Sequence, residues 1–340
     1  MKRKVGGGCM ASIREVAKIA GVSPSTVSRV INNTANVDDE KRQRVLDAIE
    51  KTGFRPNELA RALFKKASKI IGVIVPTIEN PFFNEMAKAI EEEAYELGYR
   101  ILLCNSNGNE MKEMINIEIL RQMHAEGLII MTNSNKTGQV IESCDMPVVM
   151  LDRTLKEDCG ISTIESDHYK GGKIAMQHMI DCGCESIVCL RGPQQFSSGQ
   201  KRYQGYKDVC DKHGIKEQWI ECEYNYQSGM HAAREMLQKY PDVDGVIASN
   251  DMAAIGVYKV LLSEGYKVPE DIQLIGFDNI RLSWLFAPEI TTITQPIKDM
   301  GRIAVHTIMD HNNGKPVQRL NVFDVSLEER QTTRRKEIIA

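Results

Sequence analysis

Long apolar runs are missing from this 340-residue chain. No stretch approaches the ~18 consecutive apolar residues of a membrane-spanning helix. The first fifteen residues, MKRKVGGGCMASIRE, are basic but have no apolar segment like that of a secretory signal. The expectation is a cytoplasmic protein with no membrane contact. Nine cysteines are present, yet none forms a C-x-x-C pair, and Cys182 and Cys184 lack a second cluster at zinc-ligand spacing. They read as reduced, buried thiols, and neither a metal nor a cofactor is expected. Enzyme signatures are absent as well. His178, His213, His231 and His306 stand in no H-E-x-x-H or G-x-S-x-G context. VGGGC at 5–9 follows no strand and lacks the Lys-Ser/Thr of a phosphate-binding loop. A binding protein is expected rather than an enzyme.

What is present is an uneven distribution of charge. The net charge of −3 combines a basic head with an acidic body: the first 70 residues hold fifteen Lys and Arg against seven Asp and Glu, or +8, which leaves −11 on the rest. A basic end suits a polyanion partner, although such segments are often only solvated surface. The length calls for two or three domains.

Helix signals in the basic head are local and specific. Ser12-Ile13-Arg14-Glu15 has the form of a capping box, and Ile13, Val16, Ala17 and Ala20 follow at helical spacing up to Gly21. Ser23 then caps a second helix with Pro24 at its first position, where a missing N–H does no harm. Helix, short Gly turn and helix is the helix-turn-helix plan, in which the second helix enters the major groove. That helix offers Ser25, Thr26, Ser28 and Arg29, with Val22, Val27, Val30 and Ile31 inward. The segment 37–54 completes a three-helix core through Val45, Leu46, Ile49 and Phe54.

ASIREVAKIAGVSPSTVSRVINN, followed by GFRPNELARAL, resembles the headpiece of the lactose-repressor family of bacterial transcription regulators, without a gap over residues 12–68. The resemblance implies operator DNA as partner, with Pro24, Ser25 and Arg29 facing bases and Thr26 and Ser28 on phosphates. It also implies a hinge helix from Asn57 to Phe64, in which Leu63 wedges into the minor groove. Eight residues are fewer than the ~12–15 that persist as a helix alone in water, so this hinge folds only when supported.

From Lys69 onward, the runs IIGVIV, RILLC, GLIIM, PVVML, SIVCL, GVIAS and IQLIGF alternate with helical patterns, which predicts parallel sheets with helices on both faces. Ligands of open α/β sheets sit beyond the carboxyl ends of the strands. Asn80, Phe82 and Phe83 fall at such an end, as do Asp152, Arg153, Asn250, Asp278 and Gln295, while Arg202 and Tyr224 lie on intervening segments. Taken singly, each is more commonly a helix cap, a turn residue or a core aromatic. Together they offer the aromatic faces and bidentate polar groups that suit a neutral sugar. The body resembles the periplasmic-binding-protein fold that accompanies this headpiece, and these ten residues match the pattern of the family's ribose-binding members. Tyr224 is a departure, since ribose-binding transport proteins carry Phe there. The resemblance implies a ribose-type effector held with Phe82 and Phe83 flanking the sugar ring.

The expected class is α + α/β: leader 1–11, helix-turn-helix headpiece 12–56, hinge helix and linker 57–68, and a two-lobed body 69–340. Lobe one would comprise about 69–167 plus 298–326, and lobe two about 168–297 plus 327–340. The expected function is a sequence-specific repressor of a sugar-utilisation operon, released by ribose or a related sugar. A regulator that answers another sugar or nucleoside, or uses its ligand as corepressor, is the alternative. TTRRKEIIA at the end carries no leucine heptads, so a homodimer is expected.

Overall fold

The computed structural model describes residues 12–33, 37–54, 68–132, 137–142, 144–153 and 161–334. The chain divides after Ser68 into a headpiece and a body.

In the headpiece, α1 (Ile13–Ala20) is capped by Ser12, whose hydroxyl accepts from Glu15 N–H, and ends at Gly21 with a left-handed φ of 64°. Helix α2 (Pro24–Asn32) is capped by Ser23, and α3 (Asp39–Thr52) by Asp38. Val16, Ala17, Ala20, Val27, Val30, Val45 and Ala48 form the buried core, with Val22, Ile31, Ile49 and Phe54 partly covered against it. Leu46 departs from expectation. It lies on the outer face of α3 and is 46% exposed, while Val45 and Ala48 hold the inward positions.

The body begins with β1 (Ile70–Val75), α4 (Pro81–Glu96), β2 (Arg100–Asn105), α5 (Glu110–Gln122), β3 (Gly127–Ile130), α6 (Thr137–Glu142), β4 (Val148–Leu151) and β5 (Ser162–Ser166). A second lobe follows with α7 (His168–Asp181), β6 (Ile187–Arg191), α8 (Ser197–His213), β7 (Trp219–Glu221), α9 (Tyr226–Lys239), β8 (Gly245–Ile247), α10 (Asp251–Ser263), β9 (Gln273–Asp278), α11 (Arg281–Leu285) and β10 (Thr291–Thr294). The chain then returns through α12 (Ile297–Asn312) and β11 (Leu320–Phe323) to the first sheet, and crosses again to β12 (Ser326–Glu328). The sheets run β11-β5-β4-β3-β1-β2 and β12-β10-β9-β8-β6-β7, the same order in each lobe. Every described pairing is parallel except β10 with β12. Ser326, expected in the first lobe, therefore opens a strand of the second.

Period-two alternation explains how each sheet buries both faces. On the first sheet Ile71, Val73 and Val75 pack with Met86 and Ile90 of α4 and with Ala304 and Ile308 of α12. Ile74, Leu128 and Ile130 face the other way, against Ile117 and Leu120 of α5. Among the described residues, polar contacts that tie the lobes together include Arg281 N–H donating to Glu85 Oε1 at 2.8 Å, Lys201 Nζ meeting Glu165 Oε1 at 2.6 Å, and Asn80 Nδ2 donating to Tyr224 O at 3.5 Å.

Candidate DNA face and interlobe cleft

Helix α2 turns Pro24, Ser25 and Arg29 to solvent, with Thr26 and Ser28 half-buried beside them. The Ser23 hydroxyl lies 2.7 Å from that of Ser25 and 2.9 Å from that of Thr26, and Ser28 Oγ accepts from Asn32 Nδ2 at 3.1 Å. Above the Val27–Val30 base this face carries hydroxyls and one guanidinium, groups able to read base edges and to touch phosphates. The hinge helix expected at 57–64, with Asn57 and Leu63, lies outside the described residues.

In the body, loops at the carboxyl ends of strands from both sheets line one cleft of 490 Å³. Pro76, Asn80, Phe83, Asn107 and Arg153 contribute from the first lobe; Phe196, Glu223, Tyr224 and Met252 contribute from the second. Asn80 is there because it caps α4, its Oδ1 accepting from Phe82 N–H at 3.1 Å. Phe82 and Phe83 meet edge to face with centroids 5.3 Å apart. They cannot flank a sugar ring between them as two parallel faces: Phe83 lines the cleft, while Phe82 is buried in the lobe-one core.

Beside the cleft wall Asp278, Gln295, Arg202 and Asn250 form one bonded set. Asp278 Oδ1 accepts from Gln295 Nε2 at 2.7 Å and from Arg202 Nη2 at 3.4 Å. Arg202 also donates to Ser249 O at 2.8 Å and lies 3.6 Å over the Phe277 ring. Asn250 caps α10 through Ala253 N–H, and its Nδ2 reaches Asp278 Oδ2 at 3.5 Å and Tyr224 O at 3.4 Å. Arg153 stacks 3.9 Å over Phe196, with its Nε 3.8 Å from Asp152. Asp152 and Asp278 both adopt positive φ, 70° and 120°, a conformation that costs L-residues about 1–3 kcal/mol and is typically retained at functional sites.

Burial dominates the electrostatics. It pushes the Asp152 carboxyl up to about 6 against the pull of Arg153 and Arg202. It also raises Asp278, opposed by Arg202 and reinforced by Asp152. Asp251 rises through burial and the Asp278 charge; its oxygens accept from Thr292 Oγ1 at 2.6 Å and Ile280 N–H at 2.9 Å, holding the loop after β9. Among the described residues, Asp152 Oδ1, Gln295 Oε1 and the Nε and Nη1 of Arg153 have no hydrogen-bond partner. A sugar hydroxyl donates and accepts at once, so vicinal hydroxyls can satisfy such a mixture. A phosphate dianion would instead meet two buried carboxylates in a poorly solvated cleft.

Of the ten ligand residues expected from the sequence, Asn80, Phe83, Arg153 and Tyr224 line the cleft, while Phe82 is buried in the lobe-one core and Asp152, Arg202, Asn250, Asp278 and Gln295 stand behind the lining. Phe196 and His168 were missed. Phe196 stands in the loop after SIVCL, a strand end and thus a signal that was available, whereas His168 is brought in by topology alone.

A helix-turn-helix headpiece followed in the chain by a two-lobed, doubly wound body defines a class: a DNA-binding regulator with a small-molecule cleft. Residues 12–57 match the bacterial regulatory proteins of the lacI family, and residues 68–322 match the periplasmic binding proteins and sugar binding domain of the LacI family. The chain belongs to the LacI family and is a sequence-specific transcriptional repressor, not an enzyme. It is 38% identical over 330 residues to the ribose operon repressor of Bacillus subtilis, covering 96% of this chain and 100% of that one. Its fold matches the lac repressor dimer bound to operator and the anti-inducer ONPF with a TM-score of 0.86, at 25% identity over 95% of this chain and 99% of that one. A LacI family regulator from Enterococcus faecium with bound ribose matches with a TM-score of 0.71, at 26% identity over 79% of this chain and 100% of that one. Among the described residues no helix is long and apolar enough to cross a membrane, and no cluster of His, Cys, Asp and Glu could hold a metal ion.

Proposed function

We propose that the chain is a ribose-responsive repressor that works in the cytoplasm as a homodimer and leaves its operator when ribose fills the interlobe cleft. The observation that carries this is the polar set around the 490 Å³ cavity. Asp152 and Arg153 come from one lobe, Arg202, Asn250 and Asp278 from the other, with buried donors and acceptors that lack partners. Such a set suits a small neutral polyol that bridges both lobes. Ribose is favoured by the name of the Bacillus subtilis relative and by the ribose in the Enterococcus faecium structure. Release rather than corepression is favoured by the likeness to the ribose operon repressor of Bacillus subtilis alone. In this reading Pro24, Ser25 and Arg29 face bases, Thr26 and Ser28 touch phosphates, and Asn57 opens a hinge helix whose Leu63 wedges the minor groove.

Homodimerisation is favoured by the dimer in the lac repressor structure and by the apolar outer face of α5, where Met111, Ile115 and Ile119 recur at four-residue intervals in solvent. The sugar acts only through its affinity difference between the closed and open bodies. Calorimetric titration with ribose, xylulose, other pentoses, hexoses and ribose 5-phosphate tests the ligand. Ribose should bind tightest and the phosphate weakest. Gel shifts on operator with graded ribose should show release. Preference for another ligand would reassign the effector, and tighter operator binding with ribose would make it a corepressor.

A further inference from the structure

His168 opens α7 directly after the chain crosses from the first lobe, and it is fully buried. Its Nδ1 accepts a hydrogen bond from Arg202 Nε–H at 3.3 Å. A ring nitrogen that accepts carries no proton. Burial together with the cations Arg202, Lys201 and Arg153 holds the ring neutral, its pKa well below the usual histidine range. The single proton is therefore on Nε2. That nitrogen faces Asp152 Oδ1 at 3.6 Å, just beyond hydrogen-bond distance, and neither atom has a hydrogen-bond partner among the described residues. The imidazole thus stands between a carboxylate carried by the first lobe and a guanidinium carried by the second. Arg202 continues the chain of contacts to Asp278 at 3.4 Å.

Two glycines allow this approach. A Cβ on Gly172 would lie 2.0 Å from Arg202 O, and one on Gly205 would lie 2.1 Å from Tyr169 O. Without those side chains, α7 and α8 pass closely enough for His168 to reach Arg202.

We propose that His168 is a positioning residue for sugar recognition, which orients Arg202 through the hydrogen bond to Nδ1 and presents Nε2–H toward the Asp152 carboxylate, and so sets the two cleft charges of opposite lobes as a pair. This role rests on the cleft being a sugar site. A buried ring could instead only fill space, and four substitutions separate the two roles. Leu fills the volume without polar atoms, Ala removes both, Asn keeps an acceptor near the Nδ1 position, and Gln keeps a donor near the Nε2 position.

Expected results are that His168→Leu and His168→Ala each lower ribose affinity tenfold or more, while His168→Asn or His168→Gln recovers part of the loss. Operator affinity without sugar should stay at the parent value, which also certifies folding. Parent-like ribose affinity in His168→Leu would overturn the proposal and leave a space-filling role. The ring tautomer is a second, sugar-independent readout: ¹⁵N shifts of His168 should report a protonated Nε2, and a protonated Nδ1 would equally overturn the proposal. If the parent protein takes up no ribose, the sugar reading fails by itself, and the tautomer still decides whether His168 is placed as described.

Discussion

Asp152 is held at a cost that its position in the cleft explains. Its carboxyl is raised by burial from 3.8 to about 6. Below about pH 4 the folded and unfolded chains are both protonated here, and burial carries no charge penalty. Between about pH 4 and 6 the unfolded chain gives up a proton that the folded chain keeps, so stability falls as pH rises through this window, and above it the full cost is present. Two pKa units amount to about 3 kcal/mol. Asp152→Asn removes the ionisation without changing shape. It should be more stable than the parent at pH 7.5 by about 1–3 kcal/mol, with the gain shrinking toward pH 4.5, while ribose affinity falls. Urea unfolding at several pH values measures this, and a gain that does not vary with pH would refute it. On the headpiece, Arg29→Ala should weaken specific operator binding by about 1–3 kcal/mol while leaving much of the salt-driven nonspecific affinity. Equal weakening on all DNA, in gel shifts against operator and random duplexes, would move Arg29 from a base to a phosphate.

Helix α8 supplies Arg202 to the cleft, and Gly172 of the neighbouring α7 together with Gly214 at the end of α8 tests how strictly it is positioned. Gly172→Ala puts a methyl group 2.0 Å from Arg202 O, so α7 and α8 must separate. Overpacking of this kind costs about 1–3 kcal/mol, and the displaced Arg202 should lose ribose affinity at least tenfold. Gly214, which ends α8 at a φ of 65°, has nothing within 4 Å of an added Cβ. Gly214→Ala should therefore cost about 1 kcal/mol of backbone strain while binding ribose like the parent; calorimetry and thermal unfolding on both variants separate the effects. Elements differ in how far the sequence discloses them. IIGVIV, GLIIM and IQLIGF are buried on both faces of a parallel sheet and read as unbroken apolar runs. Strand β5, STIES, does not, because its buried Glu165 is satisfied by Lys201 arriving from the other lobe. Strand β7 is only three residues long. Asp152, Arg153 and Asp278 were visible as polar groups at strand ends, but the placement of His168 between Asp152 and Arg202 depends on a crossing between lobes that no local pattern marks. Likewise the shared strand order of the two sheets leaves no repeat in the residues, since topology constrains burial and not identity.

At the scale of the whole molecule, the surface of the body calls for a second copy. Helix α5 faces inward through Glu113, Ile117 and Leu120, yet its opposite side presents Met111, Ile115 and Ile119 to solvent, and the edge strand β2 before it exposes Leu103. In the second lobe Leu262, Leu282, Trp284 and Leu285 are exposed as well. A stripe of exposed apolar side chains along one helix, as on α5, suits an interaction site. A homodimer would cover it and would join two headpieces, so that binding of the second half-site becomes intramolecular and affinity rises on the order of 10²–10⁴-fold. Ile115→Asp puts a charge into the middle of the α5 stripe without touching the cleft or the α5 core contacts. The variant should sediment as a monomer where the parent is a dimer, bind ribose per chain as the parent does, and lose operator affinity by at least a hundredfold. Because ribose binding is read on the same sample, general misfolding is told apart from loss of the partner. A variant that remains dimeric with full operator affinity would exclude this face of α5 from the interface and turn attention to the exposed residues of the second lobe.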